Sequence, residues 1–195
     1  MTATLAATGR LFLLRQVHGA RLVEAPWAES PEADAAMTRR AGCLVGIRTA
    51  DCLPVLVADP VLRVAAAAHA GWRGTVAGVC GRAVESLLAQ GARPRDLVAA
   101  IGPGIGACCY EVGAQVVAAF VGSASAVFET GGERPHLNLR STNRRQLEAA
   151  GVDASRIHDV DECTVCRPDL YHSYRRDGAA SGRMISYIGW RTERS

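Results

Sequence analysis

Short apolar runs separated by polar turns dominate the first half of the chain. Cys43–Arg48, Leu53–Ala58 and Val64–Ala68 are built mostly from Val, Leu, Ile and Ala, and each is bounded by turn signals. Runs of this length read as buried strands, because a buried helix needs about ten residues or more. Upstream, Leu11–Val17 and Arg21–Glu24 predict a strand pair around His18, and Pro26–Asp34, rich in Ala, Glu and Pro, predicts a surface loop. From Thr75 the period changes. Val76, Val79, Cys80, Ala83, Val84, Leu87 and Leu88 recur at i, i+3, i+4, i+7 and i+8, which predicts one helix over Thr75–Gln90, stopped by Gly91 and Pro94.

Beyond Pro94 the elements alternate less regularly. Leu97–Ile101 predicts a strand that runs into "GPGIG" and "ACCYEVG". Ala114–Val121 and Ser141–Ala150 predict helices, the second stopped by Gly151, with a loop over Gly122–Arg134 between them. Ile157–Cys163, Tyr171–Tyr174 and Met184–Ile188 complete the predicted strands. Without a strict βαβ rhythm the pattern implies an α+β or layered α/β sandwich, a mixed β-sheet with flanking helices, and not a doubly wound sheet. "GPGIG" lacks GxGxxG spacing, which argues against a dinucleotide site.

Composition narrows the classes. A chain of 195 residues, 49% hydrophobic and 21% charged, fits one ordinary globular domain over residues 1–195. Asp59 and Arg63 interrupt the longest apolar run before the roughly 18 residues a membrane helix needs. Leu11–Leu14 is too short for a signal peptide, so a cytoplasmic location is expected, with no membrane partner. All 22 basic side chains are arginine, yet the net charge is only +3 and spread along the chain, which does not imply nucleic acid. Seven cysteines, an odd count, read in a reducing compartment as thiols or ligands.

Three of the chemistry-bearing residues stand at the ends of apolar strands: His18 in "RQVHG", Cys52 in "RTADC" and His69 in "AAHAGWRG". Two imidazoles and a thiolate suit zinc or copper and leave a fourth tetrahedral position for water or substrate. The same residues also fit a buried thiol with two hydrogen-bonded histidines, or a Cys52–His69 nucleophilic pair. Spacing alone does not separate these readings.

Six strings occur in order from residue 16 to 188: "QVHG", "TADCLPVLVAD", "AAAHAGWRGT.AGV", "IGPGIGACCYEVG", "HLNLRSTNRRQL" and "YHSYRRDG...GRMISYI". Together they closely resemble the laccase-domain family, long labelled multicopper polyphenol oxidases and since reassigned as purine nucleoside phosphorylases. The resemblance implies a layered, cytotoxic-necrotizing-factor-like fold and a metal, usually zinc, on His18, Cys52 and His69. It also implies phosphorolysis of adenosine, inosine, guanosine and methylthioadenosine to free base and pentose 1-phosphate, with adenosine deamination reported for the same fold. The older label implies copper-dependent phenol oxidation, for which a single site of two histidines and one cysteine lacks the histidines a multicopper cluster needs. Family members usually begin with some forty further residues, including an arginine- and glycine-rich opening. The chain is therefore expected to lack that segment, and a shortened, inactive metal- or nucleotide-binding member is a third reading.

The remaining candidates follow from this chemistry. The first turn of the Thr75–Gln90 helix offers free N–H groups as a phosphate seat, and Arg48 and Arg73 add planar forks; either arginine could instead form an ordinary ion pair. Asp51 could act as acid/base, orient a ligand, or cap a turn. His172, Tyr174 and Arg175 belong to a family motif expected to line the substrate cavity. Trp72 could stack on a purine, although an aromatic beside a tight turn more often packs. Cys108 and Cys109 are adjacent, so their side chains diverge in an extended segment, and packing is the expectation. Cys163-x2-Cys166 has zinc-ribbon spacing but no second such pair, which argues against a structural zinc. Cys43, Cys80, His136 and His158 are expected to be structural. The expected partners are nucleosides and phosphate, for a monomer or homodimer.

Overall fold

The alanine-rich strand Val64–Ala70 has no exposed residue, although it is built almost entirely from the smallest apolar side chain. Two layers close on it. The computed structural model describes residues 9–130 and 134–192. In chain order its elements are β1 (Arg10–Leu13), β2 (Leu22–Glu24), β3 (Ala35–Thr38), β4 (Cys43–Thr49), β5 (Leu53–Asp59) and β6 (Val64–Ala70). Two helices follow, α1 (Trp72–Val76) and α2 (Val79–Leu88), then β7 (Val98–Ile101), α3 (Ala114–Ala119), β8 (Phe128–Thr130) and β9 (Pro135–Leu137). The chain ends through α4 (Leu139–Ala149), β10 (Ile157–Asp159), α5 (Tyr174–Asp177) and β11 (Met184–Gly189).

Six strands form a mixed sheet in the order β10-β7-β5-β6-β3-β2, and three form a second in the order β1-β4-β11. Side chains alternate across a strand, so each face of the large sheet can be read directly. Leu53, Val55, Val57, Ala66 and Ala68 pack with Val79, Ala83, Val84 and Leu87 of α2 and Leu139 and Leu147 of α4. On the opposite face Ala36 and Ala67 pack with Phe12, Val45 and Ile47 of the small sheet. The result is three layers: small sheet, large sheet, helices. Ala36 and Ala67 are register partners and fully buried between the two sheets, where a larger side chain would cost about 1–3 kcal/mol in overpacking.

The mixed, layered α/β expectation holds, with local corrections. The stretches flanking His18 do not pair with each other. β1 runs parallel to β4 in the small sheet, while β2 runs parallel to β3 in the large one. The chain changes sheets between them, with His18 at a φ of 63°. β3 was not expected, because "AAMT" carries little strand propensity; burial between β2 and β6 makes it a strand. The single helix expected over Thr75–Gln90 starts earlier, at Trp72, and breaks at Gly78, whose φ of 76° is left-handed. Tyr171–Tyr174 is not a strand, since the Ser173 side chain accepts from Arg176 N and caps α5. The strand expected over Ile157–Cys163 ends at Asp159, and Cys163 makes only an isolated bridge to Gly104. Part of the loop expected over Gly122–Arg134 is a short β8–β9 hairpin, and residues 131–133 lie outside the described residues. Among the described residues no helix is long and apolar enough to cross a membrane.

Candidate metal centre and substrate cavity

Antiparallel pairing of β5 with β6 sets Leu53 opposite Ala70 and Pro54 opposite His69. Cys52, one residue before β5, therefore arrives beside the end of β6, where His69 points towards the small sheet by strand alternation. His18 comes from the crossover between β1 and β2. Its loop is pinned by Asp34, whose carboxylate accepts from Val17 N at 3.1 Å, His18 N at 2.9 Å and Gly19 N at 2.7 Å. The same carboxylate meets His69 Nδ1 at 2.8 Å, which leaves Nε2 as the free ligand nitrogen of that ring. The His18 and His69 rings stand edge to face with centroids 4.8 Å apart, and one ligand atom each from His18, Cys52 and His69 lies within 4.8 Å of the others.

The electrostatics fit a cation. Burial raises the Cys52 thiol, but the His18 and His69 rings outweigh it and bring the group down to about 7. Burial lowers His69, but Asp34 and Cys52 outweigh it and bring the imidazole up to about 9. Metal ligation replaces these shared protons, since thiolate and neutral imidazole are the binding forms. Gly71 supplies the space: a Cβ there would stand 2.8 Å from Cys52 Sγ and 3.3 Å from His18 Cδ2. Of the two metals expected at such a centre, zinc and copper, the ligand set suits either.

The cluster lies in a cavity of about 760 Å³, within the usual range for a small-molecule site. Of the residues singled out from the sequence, Arg48, Asp51, Trp72, Tyr174 and Arg175 line it with the three ligands. Asp51 holds a φ of 84°, uncommon for a side chain with a Cβ, and both its oxygens are engaged. Oδ1 accepts from Thr164 Oγ1 and Oδ2 from Arg175 N, each at 2.6 Å. Three expectations differ from the structure. Arg73 does not line the cavity, and its guanidinium lies over the Trp72 ring, 4.3 Å from the centroid. His172 is exposed, and its ring packs against Gly182. The phosphate seat expected at Thr75 also fails, because Thr75 lies inside α1 and its N–H bonds to Gly71 O.

Sequence reasoning passed over Asp34, Tyr110 and Arg183. Tyr110 and Arg183 line the cavity, and burial with the nearby Cys52 charge pushes the Tyr110 phenol up to about 12. The signal for Tyr110 was its place in "ACCYEVG". Asp34 carried only its position between a polar loop and a buried apolar stretch.

This fold and centre have known counterparts. The family model described as multi-copper polyphenol oxidoreductase laccase matches residues 1–191, and the chain belongs to that family. Among its relatives, a purine nucleoside phosphorylase of Deinococcus radiodurans is 45% identical over 179 residues, 90% of this chain and 68% of that protein. Adenosine deaminase RL5, from an unknown prokaryotic organism, is 39% identical over 160 residues, 80% of this chain and 61% of that protein. The crystal structure of YlmD from Geobacillus stearothermophilus superposes with a TM-score of 0.88 at 34% identity, covering 94% of this chain and 74% of that one. Relatives with such names support an enzyme of this general kind.

Proposed function

We propose that this chain is a zinc-dependent purine nucleoside phosphorylase, converting adenosine, inosine, guanosine or methylthioadenosine and phosphate to free base and pentose 1-phosphate, and that it also deaminates adenosine. One juxtaposition carries the reading: the His18, Cys52, His69 cluster shares its cavity with Arg48, Arg175 and Arg183, while Arg15 on the same lining is paired with Glu32 at 3.3 Å. A zinc ion held by the three ligands would supply Lewis acidity and water activation at this position. The arginines supply the anion site. Arg48 is anchored to Leu14 O at 3.0 Å, Arg175 to Glu111 O at 3.1 Å, and Arg183 to the Ser181 and Gly182 carbonyls at 2.8 Å. Carbonyl anchors orient a guanidinium without cancelling its charge, so the remaining N–H groups suit phosphate.

In phosphorolysis a phosphate oxygen bonds to C1′ of the sugar as the bond from C1′ to the base nitrogen breaks. The bonding pair leaves with the base, which takes up a proton. The arginine rim holds the nucleophile, and the Trp72 and Tyr110 rings offer flat apolar surface for a purine. With its phenol held protonated across the working pH range, Tyr110 is a hydrogen-bond donor to base or phosphate. The deaminase activity rests on the name of the RL5 relative and on the same ligand set. Zinc-loaded protein incubated with inosine should release hypoxanthine only when phosphate is present, and with adenosine should also yield inosine. Unchanged nucleosides under both conditions overturn the proposal, as does phenol oxidation by copper-loaded protein with no base released.

A further inference from the structure

We propose a second metal site, built from Cys108, Cys109, Cys163 and Cys166, that takes a zinc ion as a tetrathiolate and clamps together two loops of the cavity wall. The four Sγ atoms all lie within 4.8 Å of one another. Cys166 Sγ stands 3.7 Å from Cys108 Sγ and 3.4 Å from Cys109 Sγ. Metal–sulfur bonds of about 2.3 Å in a tetrahedron require sulfur–sulfur edges of about 3.8 Å, so small side-chain adjustments complete the site.

The backbone explains how neighbours in sequence reach one centre. Cys109 N and Tyr110 N both bond to Gly106 O, so the chain turns through Cys108-Cys109 instead of extending, and the two thiols do not diverge. This turn is the missing partner of Cys163-x2-Cys166. Gly106 is needed where the loops meet, since a Cβ there would lie 3.1 Å from both Cys108 Sγ and Cys163 Cβ. Cys163 Sγ accepts from Gly106 N at 3.2 Å, across the two loops. Amides aimed at a sulfur stabilise thiolate, the ligating form. Arg176, itself paired with Asp177 at 2.8 Å, donates to the Thr164 and Val165 carbonyls and fixes the backbone of the second loop between Cys163 and Cys166.

Packing does not account for the cluster. Cys108 and Cys166 are exposed, and all four residues lie outside the two apolar cores. Location gives the site a purpose. The first loop carries Ile105 and Tyr110 and the second leads to Tyr174 and Arg175, all lining the cavity. Each loop also bonds to Asp51, through Ile105 N to its carbonyl and through Thr164 and Arg175 to its carboxylate.

Zinc content of reduced, zinc-loaded protein tests the site independently of activity. The wild type should hold two equivalents per chain, one of them lost in Cys163→Ser/Cys166→Ser and the other in Cys52→Ser. Because the double variant can misfold, X-ray absorption on zinc-loaded Cys52→Ser gives a second reading. It should report an all-sulfur shell at about 2.3 Å. A single equivalent in the wild type that persists in Cys163→Ser/Cys166→Ser overturns the proposal. So does a nitrogen- or oxygen-dominated shell in Cys52→Ser, or a Cys109–Cys166 disulfide that resists reduction and excludes zinc.

Discussion

The Asp34 carboxylate touches both sides of the candidate centre, meeting His69 Nδ1 at 2.8 Å while accepting the His18 amide at 2.9 Å. It orients one ligand ring and fixes the backbone of the other. Asp34→Asn keeps the shape but puts an amide NH2 where backbone N–H groups already point. Loss of such a ligand-orienting partner typically weakens metal binding about 10–100-fold, and breaking a buried charged network costs about 3 kcal/mol. Competition with a zinc chelator should show the first effect and denaturant melts the second; unchanged values for both would refute this role.

The acid limb of stability follows from the same residue. Burial raises the Asp34 carboxyl, but the His69 ring and the Gly19 and Val17 amides outweigh it and hold the group below the usual carboxylate range. A folded value below the unfolded one means that its contribution is complete above about pH 3.9 and is lost as pH falls through the folded value. Wild type and Asp34→Asn should therefore differ in denaturation midpoint near neutrality and converge towards strong acid. Parallel curves across the whole acid range would assign the stability elsewhere.

Gly71→Ala separates the centre from the fold. Gly71 has a φ of −78°, so alanine is acceptable to the backbone there. Its Cβ would instead press on Cys52 Sγ at 2.8 Å and His18 Cδ2 at 3.3 Å. The variant should fold with a modest drop in melting temperature, corresponding to about 1–3 kcal/mol, and lose at least about tenfold in zinc affinity. Full zinc affinity in the alanine variant would show that the two ligands do not share one cation.

Part of this centre is legible in the sequence and part is not. His18, Cys52 and His69 were visible because a polar residue at the end of an apolar strand stands out, and strand ends converge. Asp34 was hidden, since an acid closing an Ala-, Glu- and Pro-rich loop resembles a solvated one; only the placement of β3 beside β6 buries it. Adjacent cysteines diverge on extended chain, so the convergence of Cys108 and Cys109 is invisible without the turn that their backbone makes at Gly106. The helix break at Gly78 escaped an apolar stripe that continues across it, because periodicity registers side chains and not a left-handed φ. The mixed, layered architecture was legible from run lengths, but strand partners were not, since parallel pairing of β1 with β4 leaves no local turn signature.

Asp51 presents a choice between proton transfer and positioning. Thr164 Oγ1 and Arg175 N occupy one carboxylate oxygen each at 2.6 Å, which favours positioning of Arg175. Asn tolerates the left-handed φ of Asp51, so Asp51→Asn should fold. It should lower kcat/KM by about 10–100-fold through Arg175, with zinc content unchanged and the pH profile of the same shape as the wild type. Disappearance of one limb of that profile would make Asp51 the acid or base instead.

Arg48 and Arg73 give the sharpest contrast, because the sequence treats them alike and the structure does not. Arg48 lines the cavity with Nη2 held by the Leu14 carbonyl at 3.0 Å, while Arg73 lies over Trp72. A charge-assisted contact to phosphate is worth about 1.5–3 kcal/mol, so Arg48→Ala should raise KM for phosphate about 10–100-fold and leave KM for the nucleoside nearly unchanged. Arg48→Lys should not restore it, since a single ammonium cannot both replace the anchor to Leu14 and present a fork to the anion. Arg73→Ala should change KM for phosphate by less than about threefold, because its guanidinium lies over the Trp72 ring and is not among the groups that line the cavity. Steady-state kinetics with phosphate varied at saturating nucleoside reads all three variants. Equal effects from Arg48→Ala and Arg73→Ala would mean that phosphate does not bind among the cavity arginines.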